Sequence, residues 1–372
     1  MKILQLGKFF PIRGGVEKVM YDLMLGLSEA EVYCDMLCAS TEDHPSATLQ
    51  INKYARVFVM PTVIGLAATK IAPSMIRTLR RIAKDYDIIH VHHPDPMAAL
   101  ALFLSGYKGK VVLHWHSDIL KQKALLKVYT PLQNWLIKRA DNILGTSPVY
   151  VRESNFLKAV QDKVGYLPIG IAPLQSDQTK VRSILERFDN RKIVFSLGRL
   201  VEYKGYEYLI RAAKYLPEDY HILIGGKGPL QDSLQVLIDD LGLRGKITLL
   251  GFVSDEDVPA YYDACMLFCL PSIMKTEAFA IVQIEAMSFG KPIVCTKIPG
   301  SGVSWVNADE VSGLHAAVAN EYDLAEKILA IGESPEKYKQ LSQGAKERYQ
   351  NFFTRERMTV SCLEIYRGLW KV

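Results

Sequence analysis

The feature that most constrains this chain is an alternation of short apolar runs with longer amphipathic stretches, carried through both halves of the sequence. In the first half the apolar runs predict strands over 3–6, 33–39, 88–92 and 111–114, with helices over 15–27 and 74–85 among them. The second half is more regular. Strands are predicted over 193–197, 221–224, 248–252, 266–270 and 293–295, and helices over 206–215, 230–241, 255–262 and 279–289. Strand–helix alternation of this kind builds parallel sheets covered by helices on both faces. A chain of 372 residues is also too long for one ordinary compact domain. The expected fold is therefore α/β, with two facing Rossmann-like domains. The alternation lapses at 168–190, which places the boundary there, with domains at 1–170 and 171–352. After Asn307 the pattern weakens until a last amphipathic helix, 353–372, expected to cross back onto the first domain.

Composition narrows the partners. Apolar residues make up 49% and charged residues 23%, the balance of a globular protein with sizeable cores. No stretch reaches the roughly 18 uncharged apolar residues of a membrane span. The opening Met1-Lys-Ile-Leu-Gln-Leu-Gly7 lacks a small-residue cleavage site and reads as a first buried strand. The net charge of +5 is too mild to imply nucleic acid. Six scattered cysteines inside apolar runs suit reduced core thiols in the cytoplasm.

Two Rossmann-like halves raise the question of a dinucleotide. The best glycine-rich turn, Gly225-Gly226-Lys227-Gly228-Pro229-Leu230, follows a strand and precedes a helix, yet Gln231 stands where the third glycine would be. NAD binding is not expected. A better anion site is Thr276-Glu-Ala-Phe-Ala-Ile-Val282, where a strand passes through a short loop into a helix that Gly290 ends as a left-handed cap. Small residues at Ala278 and Ala280 would let a ligand reach the free N–H groups of the first turn, which suit a pyrophosphate. Such a site lies at the carboxyl end of a parallel strand, where open α/β folds bind ligands. Glu277 and Glu285 flank this helix start with seven residues between them, and at helical rise they would sit about 12 Å apart. That exceeds the roughly 5 to 9.5 Å of an acid/base carboxylate pair. They are expected to hold opposite ends of one elongated ligand. The simpler readings are a helix-start carboxylate and a solvated helix face.

The pair Glu277-Ala-Phe-Ala-Ile-Val-Gln-Ile-Glu285 resembles the two spaced glutamates of the retaining GT-B glycosyltransferases, family GT4. The resemblance runs through Gly14-Gly-Val-Glu-Lys18, His114-Trp-His-Ser-Asp118, Ser196-Leu-Gly-Arg-Leu200 with Lys204-Gly205, Gly226-Lys-Gly-Pro229 and Gly251-Phe-Val253, in order. It implies an amino-terminal acceptor-binding domain and a carboxy-terminal domain that binds a UDP- or GDP-sugar. It further implies that Arg199 and Lys204 bind the donor diphosphate and that Glu285 binds the ribose. Glu277 then binds the transferred sugar, and His116 faces it. Groups near Gly228 and Val253 would hold the base, N–H groups of Phe279, Ala280 and Ile281 the phosphates, and Gly14 and Gly15 would let a loop close on the donor. Where this chain has Ala280, the family pattern usually has glycine. The expected chemistry is hexosyl transfer with retention, in cell-surface polysaccharide synthesis, without cofactor or metal.

His90, His92, His93, His114 and His116 form a dense set. Alternate residues of a strand share a face, so His90/His92 and His114/His116 can converge. No Cys or carboxylate pattern accompanies them beyond Asp95 and Asp118, so no metal is expected, and His90 and His114 read as hydrogen-bonded core histidines. The helix over 74–85 carries Arg77, Arg80, Arg81 and Lys84 opposite Met75, Ile76, Leu79 and Ile82. That pattern suits an anionic membrane surface or a phosphorylated acceptor, and equally an ordinary surface helix packed on a sheet. The resemblance implies that such a basic surface brings the enzyme to a lipid-linked saccharide. The first reading places the protein at the inner face of the cytoplasmic membrane. A sugar-nucleotide epimerase and a non-catalytic nucleotide-sugar-binding protein remain the alternatives.

Overall fold

A computed structural model describes residues 1–12, 14–41, 46–66, 69–119 and 123–370. They form two units, one of Met1–Ala172 with Arg355–Val372 and one of Pro173–Thr354.

The first unit runs β1 (Lys2–Phe10), α1 (Gly15–Glu29), β2 (Tyr33–Ser40), β3 (Ala47–Asn52), β4 (Ala55–Met60), β5 (Ile64–Leu66), β6 (Thr69–Ile71) and α2 (Pro73–Ile82). It continues with β7 (Ile88–His93), α3 (Pro96–Ser105), β8 (Lys110–Trp115), α4 (Lys123–Arg139), β9 (Asn142–Gly145), α5 (Pro148–Arg152) and β10 (Val164–Tyr166). The main sheet has the order β10-β9-β8-β7-β1-β2-β4-β3, parallel except that β3 pairs antiparallel with β4. From β1 the chain moves outward through β2 and β4, then returns to β7 and moves the other way. Right-handed crossovers therefore put α1 on one face and α3 and α4 on the other. The strands at the centre are buried on both faces, which is why they read as unbroken apolar runs.

The second unit runs α6 (Gln178–Arg187), β11 (Lys192–Leu197), α7 (Tyr206–Ala212), β12 (Tyr220–Gly225), α8 (Gln231–Asp240), β13 (Ile247–Gly251) and α9 (Val258–Ala264). After them come β14 (Leu267–Leu270), α10 (Ile281–Ser288), β15 (Ile293–Thr296), α11 (Val303–Val306), β16 (Gly313–Ala316), α12 (Glu321–Gly332) and α13 (Pro335–Phe352). Its parallel sheet has the order β13-β12-β11-β14-β15-β16. The last helix, α14 (Arg355–Trp370), sorts with the first unit and packs on α1, where Thr359 closes against Gly26.

Several expectations need correction. The weak pattern after Asn307 hides β16, α12 and α13, because α13 buries only a narrow stripe through Leu341, Ala345 and Tyr349. The helix expected over 255–262 starts at Val258, since Ser254 and Asp257 close a turn on each other and Pro259 sits in the helix's first turn. The helix expected over 74–85 is α2 followed by a 3₁₀ turn at Ala83–Asp85. The helix expected over 279–289 is α10, shorter at its start because Ala280 is left-handed, with φ 64°. All six cysteines are free and buried.

Candidate active site

In the second unit the chain leaves β11 in two directions, toward β12 and, later, toward β14. The loops after β11 and β14 therefore part at a switch point, the position where open parallel sheets form a crevice. Both loops are tied there. Ile273 N–H donates to Tyr203 O at 2.8 Å, Gly198 N–H to Gly225 O at 3.0 Å and Gly226 N–H to Gly251 O at 2.7 Å. Gly228 packs so closely that a Cβ there would collide with the Leu200 carbonyl, so the loop after β12 also closes on the loop after β11.

This meeting point holds an ion pair. Lys204 Nζ lies 2.6 Å from Glu277 Oε2, and both residues are buried. Ser272 Oγ donates to the same carboxylate at 3.0 Å. Burial is the largest single influence and opposes the lysine's charge, but the Glu277 carboxylate, with Tyr206 and Tyr203, outweighs it and the Lys204 pKa is raised. Glu277 is consequently neither the helix-start carboxylate nor on α10 at all, and the axial spacing expected between it and Glu285 does not apply. Glu285 is on α10, half-buried, and accepts from Tyr262 Oη at 2.9 Å; it is not a freely solvated face position.

Arg199, one residue past Gly198, is exposed and has no ion pair among the described residues. Phe279 and Ala280 are buried and Ile281 is half-buried at the start of α10, and Gln283 N–H already donates to Ala280 O at 3.0 Å. Gly290 ends the helix left-handed, at φ 67°. Val253 is half-buried, with its side chain toward Gly225.

The first unit has its own switch point, between β1 and β7. Gly14 caps and Gly15 opens α1 just beyond β1. His116 follows β8; it is 4% exposed, and its Nε2 is 2.9 Å from His92 Nδ1. Register pairs His92 with His114, and the His114 and His116 rings stack with centroids 4.0 Å apart. Burial, and after it the neighbouring rings and Lys8, pushes the His116 pKa well down; His114 is pushed to about 3 by burial. These imidazoles are neutral. His90 meets Tyr366 Oη at 2.5 Å through Nδ1, but neither ring nitrogen of His114 has a partner among the described residues, so the hydrogen-bonded core reading fails for His114. One ligand atom from each of His90, His92 and His114 falls within 4.8 Å of the others, which is metal-like proximity. However, both nitrogens of His92 are already engaged, by Gln5 and His116, which is a poor donor set for an ion.

Arg77, Arg80, Arg81 and Lys84 are all exposed. Arg80 Nε donates to Leu104 O at 2.7 Å, so this arginine also holds α2 to the end of α3. Beside it α3 exposes Leu100, Phe103 and Leu104, which sequence reading passed over. Gln5, Tyr262 and Ser272 were passed over too. Gln5 carried a signal: it is the one polar residue inside an apolar strand run, and it is completely buried.

Residues 177–348 match the family model of glycosyl transferases group 1, and residues 13–173 that of glycosyltransferase family 4. The N-acetylgalactosaminyltransferase of Campylobacter jejuni that acts on N-acetylgalactosamine-N,N'-diacetylbacillosaminyl-diphospho-undecaprenol is 34% identical over 91% of this chain and 92% of its own. The chain belongs to the family-4 glycosyltransferases. This glycosyltransferase is also 28% identical to the O-antigen chain mannosyltransferase C of Escherichia coli, over 99% of both chains. It is 30% identical to D-rhamnosyltransferase WbpZ of Pseudomonas aeruginosa, over 92% of this chain and 88% of that one. Anabaena HepE, solved in complex with UDP, shares the fold with a TM-score of 0.78 at 21% identity, over 99% of this chain and 100% of that one. Its two Rossmann-like units are those of the GT-B architecture.

Proposed function

We propose that this glycosyltransferase moves a hexosyl residue from a UDP- or GDP-sugar to a lipid-linked saccharide in cell-surface polysaccharide synthesis, retaining the anomeric configuration. The observation that carries the reading is the buried Lys204–Glu277 pair at the switch point of the second unit, with exposed Arg199 in the same loop as Lys204. Two cations there neutralise a leaving diphosphate, and the first free N–H groups of α10 add the positive end of a short dipole. Glu277 takes sugar hydroxyls while fixing Lys204, and Glu285 takes the ribose. Gly228 and Val253 face the base. The acceptor hydroxyl attacks the anomeric carbon on the face the diphosphate leaves, and its proton passes to the departing phosphate oxygen. No metal or other cofactor is needed. The saccharide acceptor follows the relatives' names, two of which concern O-antigen chain assembly or an undecaprenol-linked saccharide.

A thermal-shift screen over UDP-, GDP- and ADP-sugars identifies the donor, because a ligand that binds only the folded state raises the unfolding temperature. Incubation with acceptor then yields a product whose anomeric coupling by NMR reports retention; conversion of the sugar nucleotide without acceptor would mean an epimerase. Arg199→Ala is expected to lower kcat about 100-fold with an unchanged melting temperature. Unchanged turnover would remove the charge-stabilising role.

For the acceptor side, the basic residues Arg77, Arg80, Arg81 and Lys84 lie beside the uncharged α3 with its exposed leucines and phenylalanine, an arrangement that suits the headgroup region of an anionic membrane. No helix among the described residues is long and apolar enough to cross a membrane. Flotation with phosphatidylglycerol vesicles tests this peripheral binding, and Arg77→Ala/Arg81→Ala/Lys84→Ala should weaken it; equal flotation of both proteins would defeat the reading.

A further inference from the structure

A cleft in the first unit, away from its switch point, carries more positive charge than the fold around it requires. It has a volume of about 530 Å³ and lies where α2 ends, where the loop from α3 to β8 turns, and where α14 brings Trp370. Arg80, Lys84, Lys108 and Lys110 line it with a single carboxylate, Asp87. That carboxylate is already engaged, since Asp87 Oδ2 accepts from the Lys2 backbone N–H at 2.7 Å. Lys84 and Lys108 have no acidic partner among the described residues, and Lys110 reaches only Asp141 Oδ1, at 3.8 Å.

Helix ends attract cations, and Arg80 is partly explained that way: its Nε donates to Leu104 O, in the last turn of α3. Its two terminal nitrogens are left over. The three lysines lie beyond the ends of α2 and α3 and bond no carbonyl among the described residues, so capping does not account for them. The segment that carries Lys108 is also pinned on both sides. Tyr107 N–H donates to Ser105 Oγ at 3.2 Å, Tyr107 Oη to Tyr86 O at 3.0 Å, and Arg139 Nη2 to Gly109 O at 2.5 Å. Four cations are therefore held in one concavity against their own repulsion, which an entering anion relieves.

The chemistry of that anion follows from the groups around it. Ammonium and guanidinium groups only donate, so the ligand offers only acceptors, and the excess charge fits a doubly charged phosphate monoester better than a singly charged diester. Beside the cleft α3 exposes Leu100, Phe103 and Leu104, with the Phe103 ring edge-on to Trp135 at 4.9 Å, and Trp370 on the cleft wall is 55% exposed. A cationic hollow bordered by an apolar strip and an indole matches the boundary between headgroups and acyl chains.

We propose that this cleft binds the phosphate monoester headgroup of a membrane lipid, with the lipid's chains along the exposed strip of α3. The inference rests on the reading of α2 and α3 as the side that meets the membrane, and it adds a headgroup preference to it. Arg77 and Arg81, which do not line the cleft, attract any anionic surface; the cleft selects among anionic lipids. It lies at the amino ends of β7 and β8, roughly 20 Å along the strands from His116. The lipid held there anchors the enzyme and is not its acceptor.

The test compares vesicles matched in surface charge, one set made with phosphatidate and the other with phosphatidylglycerol, at a pH of about 7.5, where a monoester carries most of its second charge. Full-length protein should bind phosphatidate about tenfold more tightly, the scale of one additional charge-assisted hydrogen bond. Lys108→Ala/Lys110→Ala should reduce binding on phosphatidate to the level on phosphatidylglycerol and barely change the latter, whereas Arg77→Ala/Arg81→Ala should weaken both alike. Equal binding of the unsubstituted protein to the two sets overturns the headgroup site and leaves the membrane reading standing; binding to neither overturns both. A phosphatidate preference that survives Lys108→Ala/Lys110→Ala overturns the placement in this cleft. Calorimetric binding of glycerol 1-phosphate without any preference for phosphatidate vesicles would give the cleft to a soluble phosphate ester and overturn the lipid.

Discussion

The two switch points of this molecule solve one problem with opposite chemistry. Each gathers polar side chains where two strands of a parallel sheet part. In the second unit the solution is ionic, a buried lysine and glutamate held together by charge and by Ser272. In the first it is neutral, a stack of imidazoles joined through Gln5 and Tyr366. A buried ion pair resists acid as long as its partners stay charged; a buried neutral histidine does not, because unfolding lets it take a proton.

The largest expected effect breaks the comparison at that point. His90, His92, His93, His114 and His116 all have pKa values depressed first of all by burial. The unfolded chain binds protons at these sites as pH falls through about 6.5 while the folded chain does not, so stability drops with pH. Between pH 6.5 and 5.5 each contributes a loss of about 1 kcal/mol, hence about 5 kcal/mol for the five. The second unit has one such group, His221, held near about 4 by burial. The raised pKa of Lys204 has the opposite sign: its stabilisation is intact below the unfolded value and is lost only in strong alkali. Hydrogen exchange followed by mass spectrometry should show β7 and β8 losing protection at pH 5.5 while β11 and β12 keep theirs. Equal loss in both units would erase the contrast.

The next effect sharpens the ionic side. Lys204→Met leaves Glu277 buried without its cation, at a cost of about 3 to 5 kcal/mol. Adding Glu277→Gln removes the stranded charge and should recover a good part of that stability, measured by urea denaturation. Sugar transfer should stay lost in the double variant, since neither the cation nor the carboxylate returns. Recovery of transfer along with stability would make the pair purely structural.

What the sequence disclosed divides along similar lines. The strands buried on both faces stood out as apolar runs, and the alternate histidines of β7 and β8 do meet as their two-residue period requires. The edge was less legible: β3 alternates polar and apolar residues and β9 is four residues long, too little for a period to register. Lys204 and Glu277 were each singled out, yet nothing in either segment announced that they pair. That contact exists only once the loops after β11 and β14 are brought together by the sheet. The same holds for Gln5, whose partners come from β2, β7 and α14.

The smallest effect concerns a residue whose identity was legible and whose conformation was not. Ala280 stood out because glycine usually occupies its place in the resembling pattern, and the backbone gives the reason: φ 64° and ψ 81° put a side-chain-bearing residue in the left-handed region. An L-residue pays for that geometry with a clash between Cβ and the carbonyl, roughly 1 to 2 kcal/mol. Glycine would be free of that clash but would lose more conformational entropy on folding, which offsets part of the gain by roughly 0.5 to 1 kcal/mol. Ala280→Gly should therefore stabilise the second unit by about 1 kcal/mol or less, seen as a higher urea midpoint at unchanged slope. It should leave the acid sensitivity of the first unit untouched, since the two lie in separate compact units. A lower midpoint would mean that the Ala280 methyl, 8% exposed, contributes more by packing than its backbone loses by strain.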